Sequence, residues 1–272
     1  MLSARLGGLT GCRILAREEA EVDSLPAQPA VNDFGLIADV YDELVSWAPY
    51  DKWVEDLEAR LRRHGLCRGD LILDAACGTG LSTVPWLDLG YDVVGVDQSG
   101  EMLKLARRKV EDREADVTFL RQDLLDLDLE QEFDAAVCLH SGLDYILEDE
   151  DLQKAFHSLR GTLKEGGLLS FDKCLDEPEF YRRDYTRRYS ITGGEAVFHY
   201  RWHPDRRLFE QRCVVTRQTR GRAPVRTEMV QYLRAVSVAD LDEMLQEANF
   251  EVLEAPRHFG ISDPGMAICR AV

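Results

Sequence analysis

The strongest constraint on the fold of this chain is a strand, turn and helix pattern at residues 71–83. A short apolar run precedes Asp74, and small residues with two glycines, Gly78 and Gly80, lead into a segment that can begin a helix. Glycines allow the backbone to approach a ligand that a Cβ atom would exclude, and the free N–H groups of a helix N-terminus attract negative charge. The pattern therefore predicts a nucleotide-like ligand at this turn.

The details of the turn argue against a dinucleotide. A dinucleotide fingerprint requires G-x-G-x-x-G, and Thr83 occupies the third glycine position. Asp74 would repel a pyrophosphate but could attract an ammonium group. The stretch resembles the first motif of class I S-adenosylmethionine-dependent methyltransferases, acid-x-G-x-G-x-G, with Ala76 at the first glycine, where an ordinary backbone conformation is expected. The alternative is a glycine turn in some other α/β protein.

Acids follow the next two strands of the pattern. Asp97 ends an apolar strand 17 residues beyond Gly80, and its carboxylate can accept both hydroxyls of a ribose. Asp123 and Leu124 follow a third strand, at residues 117–120. The resemblance implies that these two residues hold the adenine edge and that Met102, early in the intervening helix, packs against the adenine face.

One further segment resembles part of the same family, and another carries a candidate base. An amphipathic helix is predicted at residues 36–47. The resemblance implies that this helix folds over the cofactor and that Tyr41 faces the sulfonium. The alternative is that Tyr41 is an aromatic residue of the core. His140 lies at the end of the fourth strand and could act as a general base, or it could only shape the pocket. Asp144 and Tyr145 in the next loop are lesser candidates for substrate contacts.

The resemblance thus implies S-adenosyl-L-methionine as cofactor, and the position of His140 at the carboxyl end of a strand makes it the candidate catalytic residue. The residues assigned to the cofactor are Tyr41, Asp74, Ala76, Cys77, Gly78, Gly80, Asp97, Gln98, Met102, Gln122, Asp123 and Leu124.

The order of predicted elements defines an α/β fold. Five strands alternate with helices, an antiparallel insert follows at about residues 190–236, and a helix and two strands close the chain. The prediction is a Rossmann-like methyltransferase fold with a central, mostly parallel seven-stranded sheet flanked by helices, and an antiparallel β insert that forms a lid. Residues 1–32 are expected to be a poorly ordered tail, and residues 33–272 the methyltransferase domain.

The charge of the chain is unevenly distributed. The net charge is −17, yet residues 180–226 contain twelve arginines, no lysine and four acids. These arginines could face an anionic substrate, or they could be solvated strand positions that balance an acidic body. The favoured function is methyl transfer to a small molecule. The alternatives are an RNA methyltransferase that uses the insert, a nucleotide-dependent oxidoreductase, and a non-catalytic cofactor-binding module.

The remaining composition narrows the class of protein. No apolar run approaches the roughly 20 residues of a membrane span, so a soluble protein is expected. Seven cysteines are scattered without C-x-x-C spacing, which suggests neither a disulfide framework nor a metal site. The simplest location is a reducing cytoplasm.

Overall fold

The computed structural model describes residues 13–15, 30–113, 117–176, 184–218, 221, 223–257 and 263–272. Its α-helices are α1 (Ala38–Leu44), α2 (Tyr50–Arg63), α3 (Thr83–Asp88), α4 (Gly100–Val110), α5 (Asp149–Thr162) and α6 (Val238–Glu247). Its strands are β1 (Arg13–Leu15), β2 (Ala30–Val31), β3 (Leu71–Ala75), β4 (Asp92–Asp97), β5 (Val117–Arg121), β6 (Phe133–Cys138), β7 (Leu163–Phe171), β8 (Tyr185–Ile191), β9 (Gly194–His203), β10 (Leu208–Arg217), β11 (Val225–Arg234), β12 (Phe250–Glu254) and β13 (Ala267–Ala271).

The central sheet has seven strands within the described chain, in the order β12-β13-β7-β6-β3-β4-β5. Neighbouring strands from β7 to β5 pair in parallel, and β13 is antiparallel to both β7 and β12. The prediction of a mostly parallel Rossmann-like sheet is confirmed. The parallel strands end at one common edge, which is where ligands bind in open α/β sheets.

Alternating side chains of the strands bury both faces of this sheet. Ile72 of β3 packs with Trp53 and Leu57 of α2 on one face. The next residue, Leu73, belongs to the core on the other face, which includes residues of α5 and α6. Because successive side chains of a strand point to opposite faces, a continuous apolar run such as Leu71–Leu73 suits a sheet covered on both sides.

Two helices begin with serine caps. The Ser99 Oγ accepts a hydrogen bond from the Met102 amide at the start of α4, and the Ser237 Oγ accepts one from the Asp240 amide at the start of α6. Within the described ranges, no helix has both the length and the apolar character that crossing a membrane requires.

A second sheet is formed mainly by the chain between β7 and α6. Its order is β1-β8-β9-β10-β11-β2, and β8 to β11 are antiparallel. One face packs on α1 through an apolar cluster that includes Val40, Leu44, Phe198 and Phe209. The insert predicted at about residues 190–236 thus lies in this sheet, which also contains β8, a strand that begins at residue 185.

Most of the predicted N-terminal tail, residues 1–32, lies outside the described residues. The two short described stretches pair with the edges of the second sheet, β1 with β8 and β2 with β11.

A buried ion pair joins the two sheets. The Lys173 Nζ, just beyond β7, donates to the Asp144 Oδ1 at 2.8 Å and to the Arg234 carbonyl oxygen of β11 at 2.5 Å. Neither the Lys173 nor the Asp144 side chain is more than 3% exposed. The Cys174 amide also donates to the Asp144 Oδ1 at 2.8 Å. Each charge is therefore compensated inside the protein.

Replacing Lys173 tests the importance of this pair for stability. The Lys173→Met variant leaves the Asp144 carboxylate buried without its cation, and we expect the free energy of unfolding to fall by about 3–5 kcal/mol. Urea unfolding followed by far-UV circular dichroism measures the loss. The control is Lys154→Met, which removes an exposed pair with Asp151 on α5 and is expected to change stability little. Similar small changes in both variants would contradict the prediction.

Candidate functional site

A cavity of about 750 Å³ opens at the carboxyl edge of the central sheet, within the size range of small-molecule and cofactor sites. The loops after β3, β4, β5 and β6 line it together with the segment around α1. Eleven of the thirteen residues predicted for the site line this cavity of the described chain: Tyr41, Ala76, Cys77, Gly78, Asp97, Gln98, Met102, Gln122, Asp123, Leu124 and His140.

The glycine turn adopts left-handed backbone conformations. Gly78 has φ +56° and Gly80 has φ +79°, as such a sharp turn requires. The expectation of an ordinary conformation at Ala76 is wrong, because its φ is also +56°. A side chain larger than alanine would be crowded there, since a Cβ atom added to Gly142 would already lie 2.9 Å from the Ala76 Cβ. A Cβ on Gly78 would instead enter open space at the cavity.

Asp97 connects the end of β4 to the glycine turn. Its Oδ2 accepts a hydrogen bond from the Gly78 amide at 2.9 Å, and its Oδ1 accepts one from the Ser99 amide at 2.8 Å. Burial raises the pKa of this carboxyl, and the two amides partly offset the effect. A carboxylate oxygen can accept a second hydrogen bond, so Asp97 retains the capacity to bind a pair of hydroxyl groups in the cavity.

Asp74 and Gly80 do not line the cavity. Asp74 is fully buried behind the turn, where its Oδ2 accepts hydrogen bonds from the Ser82 hydroxyl at 2.8 Å and the Thr83 hydroxyl at 2.6 Å. Burial raises the pKa of Asp74 to about 6, despite the opposing effect of these hydroxyls. Gly80 packs against Ala106 of α4. In this conformation Asp74 supports the turn and does not face a ligand.

The loop after β5 forms the opposite wall of the cavity. The Gln122 side chain donates to the carbonyl oxygen of Asp128 and accepts from its amide, both at 2.9 Å. The Asp123 Oδ1 accepts from the Leu125 amide at 3.0 Å, and Asp123 remains exposed at the cavity. Met102, which is buried, contributes an apolar surface to the same cavity.

A polar cluster holds α1 over the glycine turn. The Thr79 hydroxyl donates to the Asp42 Oδ1 at 2.5 Å, and Lys109 of α4 lies 2.5 Å from the Asp42 Oδ2. The Lys109 Nζ also donates to the Thr79 carbonyl oxygen at 2.8 Å. These contacts position Tyr41, the residue before Asp42, at the cavity. Burial raises the pKa of Tyr41 to about 12.

His140 lies in an aromatic environment at the cavity wall. Its Nδ1 is 2.5 Å from the Tyr50 hydroxyl, and its ring makes edge contacts with Trp47, Tyr50 and Trp53. Burial lowers the pKa of His140 to about 4. The imidazole is therefore neutral at neutral pH, because the apolar surroundings disfavour its charged form.

Several residues of the cavity wall were not predicted as site residues. Tyr50 lines the cavity, and burial raises its pKa well above the usual range. The Asn32 side chain joins the loop after β6 to β11, donating to the Tyr145 carbonyl oxygen at 3.5 Å and accepting from the Tyr232 amide at 3.0 Å. No local sequence signal marks Asn32, because its partners lie more than 100 residues away. Tyr50 lies between Trp47 and Trp53, and this cluster of aromatic residues in the sequence could have marked it.

The two lesser substrate candidates have different positions. Tyr145 lines the cavity, and burial raises its pKa well above the usual range. Asp144 does not line it, because its carboxylate is buried against Lys173. In the described ranges, no three His, Cys, Asp or Glu side chains are grouped so that they could hold a metal ion.

Comparisons with known proteins agree with this architecture. Residues 72–167 match the model of a methyltransferase domain. YqeM of Bacillus subtilis, a candidate methyltransferase, is 40% identical over 136 residues, which are 50% of this chain and 53% of YqeM. The glycine/sarcosine N-methyltransferase of Parasynechococcus marenigrum is 31% identical over 172 residues, which are 62% of this chain and 55% of that enzyme. The chain thus spans about half the length of these relatives.

A solved structure shows the same fold over most of the chain. The S-adenosylmethionine-dependent methyltransferase from Clostridium acetobutylicum superimposes with a TM-score of 0.73, covering 88% of this chain and 99% of that one, at 22% identity. Together with the matched domain and the order of the sheet, this likeness shows that the chain has the fold of class I S-adenosylmethionine-dependent methyltransferases.

Proposed function

We propose that this chain is an S-adenosylmethionine-dependent methyltransferase whose acceptor is a small-molecule amine. The observation that carries the proposal is the convergence of the predicted site residues from four strand ends and α1 on one cavity. The pattern of contacts also suits the cofactor: a carboxylate at the end of β4, an exposed acid after β5 and a buried apolar wall at Met102.

Each wall of the cavity would hold a different part of the cofactor. Asp97 would accept the ribose hydroxyls, and Asp123 with the Leu124 amide would bind the adenine edge, against the apolar side chain of Met102. The glycine turn would hold the amino-acid part. When bound, the cofactor supplies a methyl group on a sulfonium, which is a good leaving group. The protein has to orient the acceptor, and such positioning can lower a barrier by up to roughly 7–11 kcal/mol.

The acceptor would lie at the part of the cavity lined by His140, Tyr41 and Tyr50, which we call the acceptor end. These side chains favour an amine over a hydroxyl. The pKa of His140 is lowered to about 4, and the pKa values of Tyr41 and Tyr50 are raised by burial. None of these three groups is a strong base at neutral pH. A neutral amine already carries a lone pair and needs no base, whereas a hydroxyl needs one to become a good nucleophile. The N-methyltransferase activity in the name of the Parasynechococcus relative also supports an amine acceptor.

The described arginines of the second sheet give the RNA alternative little support. Most of them lie near acids of the protein itself. The pairs are Arg188 with Glu195, Arg201 with Asp184, Arg207 with Asp176, Arg212 with Glu228, Arg217 with Asp39, and Arg226 with Glu228. This arrangement favours the interpretation that these arginines balance nearby acids on a solvated sheet.

Replacing Asp97 tests cofactor binding. Calorimetry with S-adenosylmethionine is expected to show binding to the wild-type protein, and none with NAD. The Asp97→Ala variant is expected to bind about 100-fold more weakly, since hydrogen bonds to a charged group contribute about 1.5–3 kcal/mol each. The control is Asp92→Ala, an exposed acid at the opposite end of β4. Equal affinities in the wild-type protein and the Asp97→Ala variant would refute this assignment.

Matched acceptors test the chemistry. The protein is incubated with S-adenosylmethionine and pairs of small molecules that differ only in an amine or a hydroxyl group, and mass spectrometry records the gain of one methyl group. We expect methylation of members of the amine set and of no hydroxyl partner. Methylated RNA, with binding that weakens steeply with salt, would favour the RNA alternative. Cofactor binding without transfer to any acceptor would favour the non-catalytic alternative.

A further inference from the structure

A buried carboxylate that the proposed function does not use lies behind the His140 turn. Asp172 follows β7 at the carboxyl edge of the central sheet and is 1% exposed. Its Oδ2 accepts hydrogen bonds from the Ser141 amide at 2.7 Å and the Ser141 hydroxyl at 3.4 Å. Its Oδ1 is buried and makes no hydrogen bond within the described chain. The hydrogen bonds that the Asp172 side chain accepts therefore come from one turn, which contains His140 and Ser141.

That turn has an uncommon backbone conformation. His140 has φ +65° and Ser141 has φ +69°, and two consecutive residues with side chains rarely adopt this region. The following residue has no room for a side chain, because a Cβ atom on Gly142 would lie 2.5 Å from the Cys138 Sγ and 2.9 Å from the Ala76 Cβ. Such a conformation persists only where the surroundings hold it, and it is frequent at functional sites.

We propose that the ionised carboxylate of Asp172 is a positioning residue: it holds the His140–Ser141 turn and thereby places the His140 imidazole against Tyr50 at the acceptor end of the cavity. The chain of contacts is direct. Asp172 binds the Ser141 amide, His140 is the preceding residue, and its Nδ1 lies 2.5 Å from the Tyr50 hydroxyl. The consequence for methyl transfer rests on the proposed function, but the conformational effect does not.

Among the titratable groups packed around it, Asp172 is the one whose charge changes near neutral pH. Burial, with a smaller contribution from the charge of Asp144, raises the pKa of Asp172 to about 7, and the Ser141 amide partly offsets this. The pKa of His140 is about 4, so its charge does not change there. The other groups that face Asp172 are the Asp144 and Lys173 pair, the phenols of Tyr41, Tyr50 and Tyr145, and the thiol of Cys138. Burial raises the pKa of each of these phenols and of the thiol, so they remain protonated.

The sign of the effect follows from the protonation of Asp172. As the pH falls through about 7, the charge-assisted hydrogen bond to Ser141 becomes a neutral one, roughly half as strong. The turn is then held less firmly, and methyl transfer is expected to decline.

The stability of the protein has the opposite dependence on pH. A carboxyl with a raised pKa in the folded state contributes stability that is complete below its unfolded pKa of 3.8 and is lost as the pH rises through about 7.

The experiment follows the turn itself in the full chain without ligands. The Ser141 amide is titrated by nuclear magnetic resonance between pH 5 and pH 9, and we expect a shift with a midpoint near 7. The Val236 amide, which donates to the Cys174 carbonyl oxygen, provides an internal control because a carbonyl does not titrate. Tryptophan fluorescence provides a second readout, since Trp47 and Trp53 contact the His140 ring.

Variants then assign the midpoint to a residue. The Asp172→Asn variant is expected to lose the transition in both readouts while its affinity for S-adenosylmethionine at pH 8 stays within about twofold of wild type. The control variant Asp92→Asn is expected to keep the transition. A Ser141 amide that does not titrate in the wild-type protein would overturn the proposal even if the variant fails to fold, as would a transition that persists in Asp172→Asn. Failure of cofactor binding in the wild-type protein would count against the proposed function alone.

Discussion

The site depends on carboxylates at the carboxyl ends of parallel strands in the central sheet. Asp74 after the β3 apolar run accepts from Ser82 and Thr83, Asp97 at the end of β4 accepts from Gly78, and Asp172 after β7 accepts from Ser141. A buried carboxylate without hydrogen bonds is costly, so each loop adopts a path that supplies its donors. The cavity is the space that remains between loops held in this way, and two of these carboxylates, Asp74 and Asp172, hold their loops without lining it.

The segment around α1 lines this space, and the second sheet packs on α1. The long excursion of the chain between β7 and α6 would be free to move relative to the central sheet if only covalent links joined them. Instead the buried Lys173 contacts both Asp144 and the β11 backbone, while Asp42 connects α1 to the glycine turn. Charged groups form these connections, and they are directional. A small error in placing α1 would therefore remove Tyr41 from the cavity wall.

Patterns local in sequence predicted the strands and the acids that end the strands, because periodicity is set by neighbouring residues. Contacts that depend on the three-dimensional course of the chain were harder to predict from the sequence. Asp74 precedes the glycine turn as the family motif requires, yet its orientation toward Ser82 and Thr83 depends on the course of α3. The left-handed conformation of Ala76 was missed because residues other than glycine rarely adopt it. Asp172 carries no sequence signal, since its partner Ser141 belongs to a different loop.

The cost of charging the His140 imidazole also explains why we regard His140 as part of the cavity wall and not as a general base. Surrounded by three aromatic rings, the imidazole would lose more by becoming charged than it could gain from the Tyr50 hydroxyl. A neutral, rigid wall suits a displacement in which the leaving group is already activated, because the remaining task is to exclude water and align a lone pair. The proton that matters near neutral pH then lies behind the wall, on Asp172, where it changes geometry and does not take part in the chemical step.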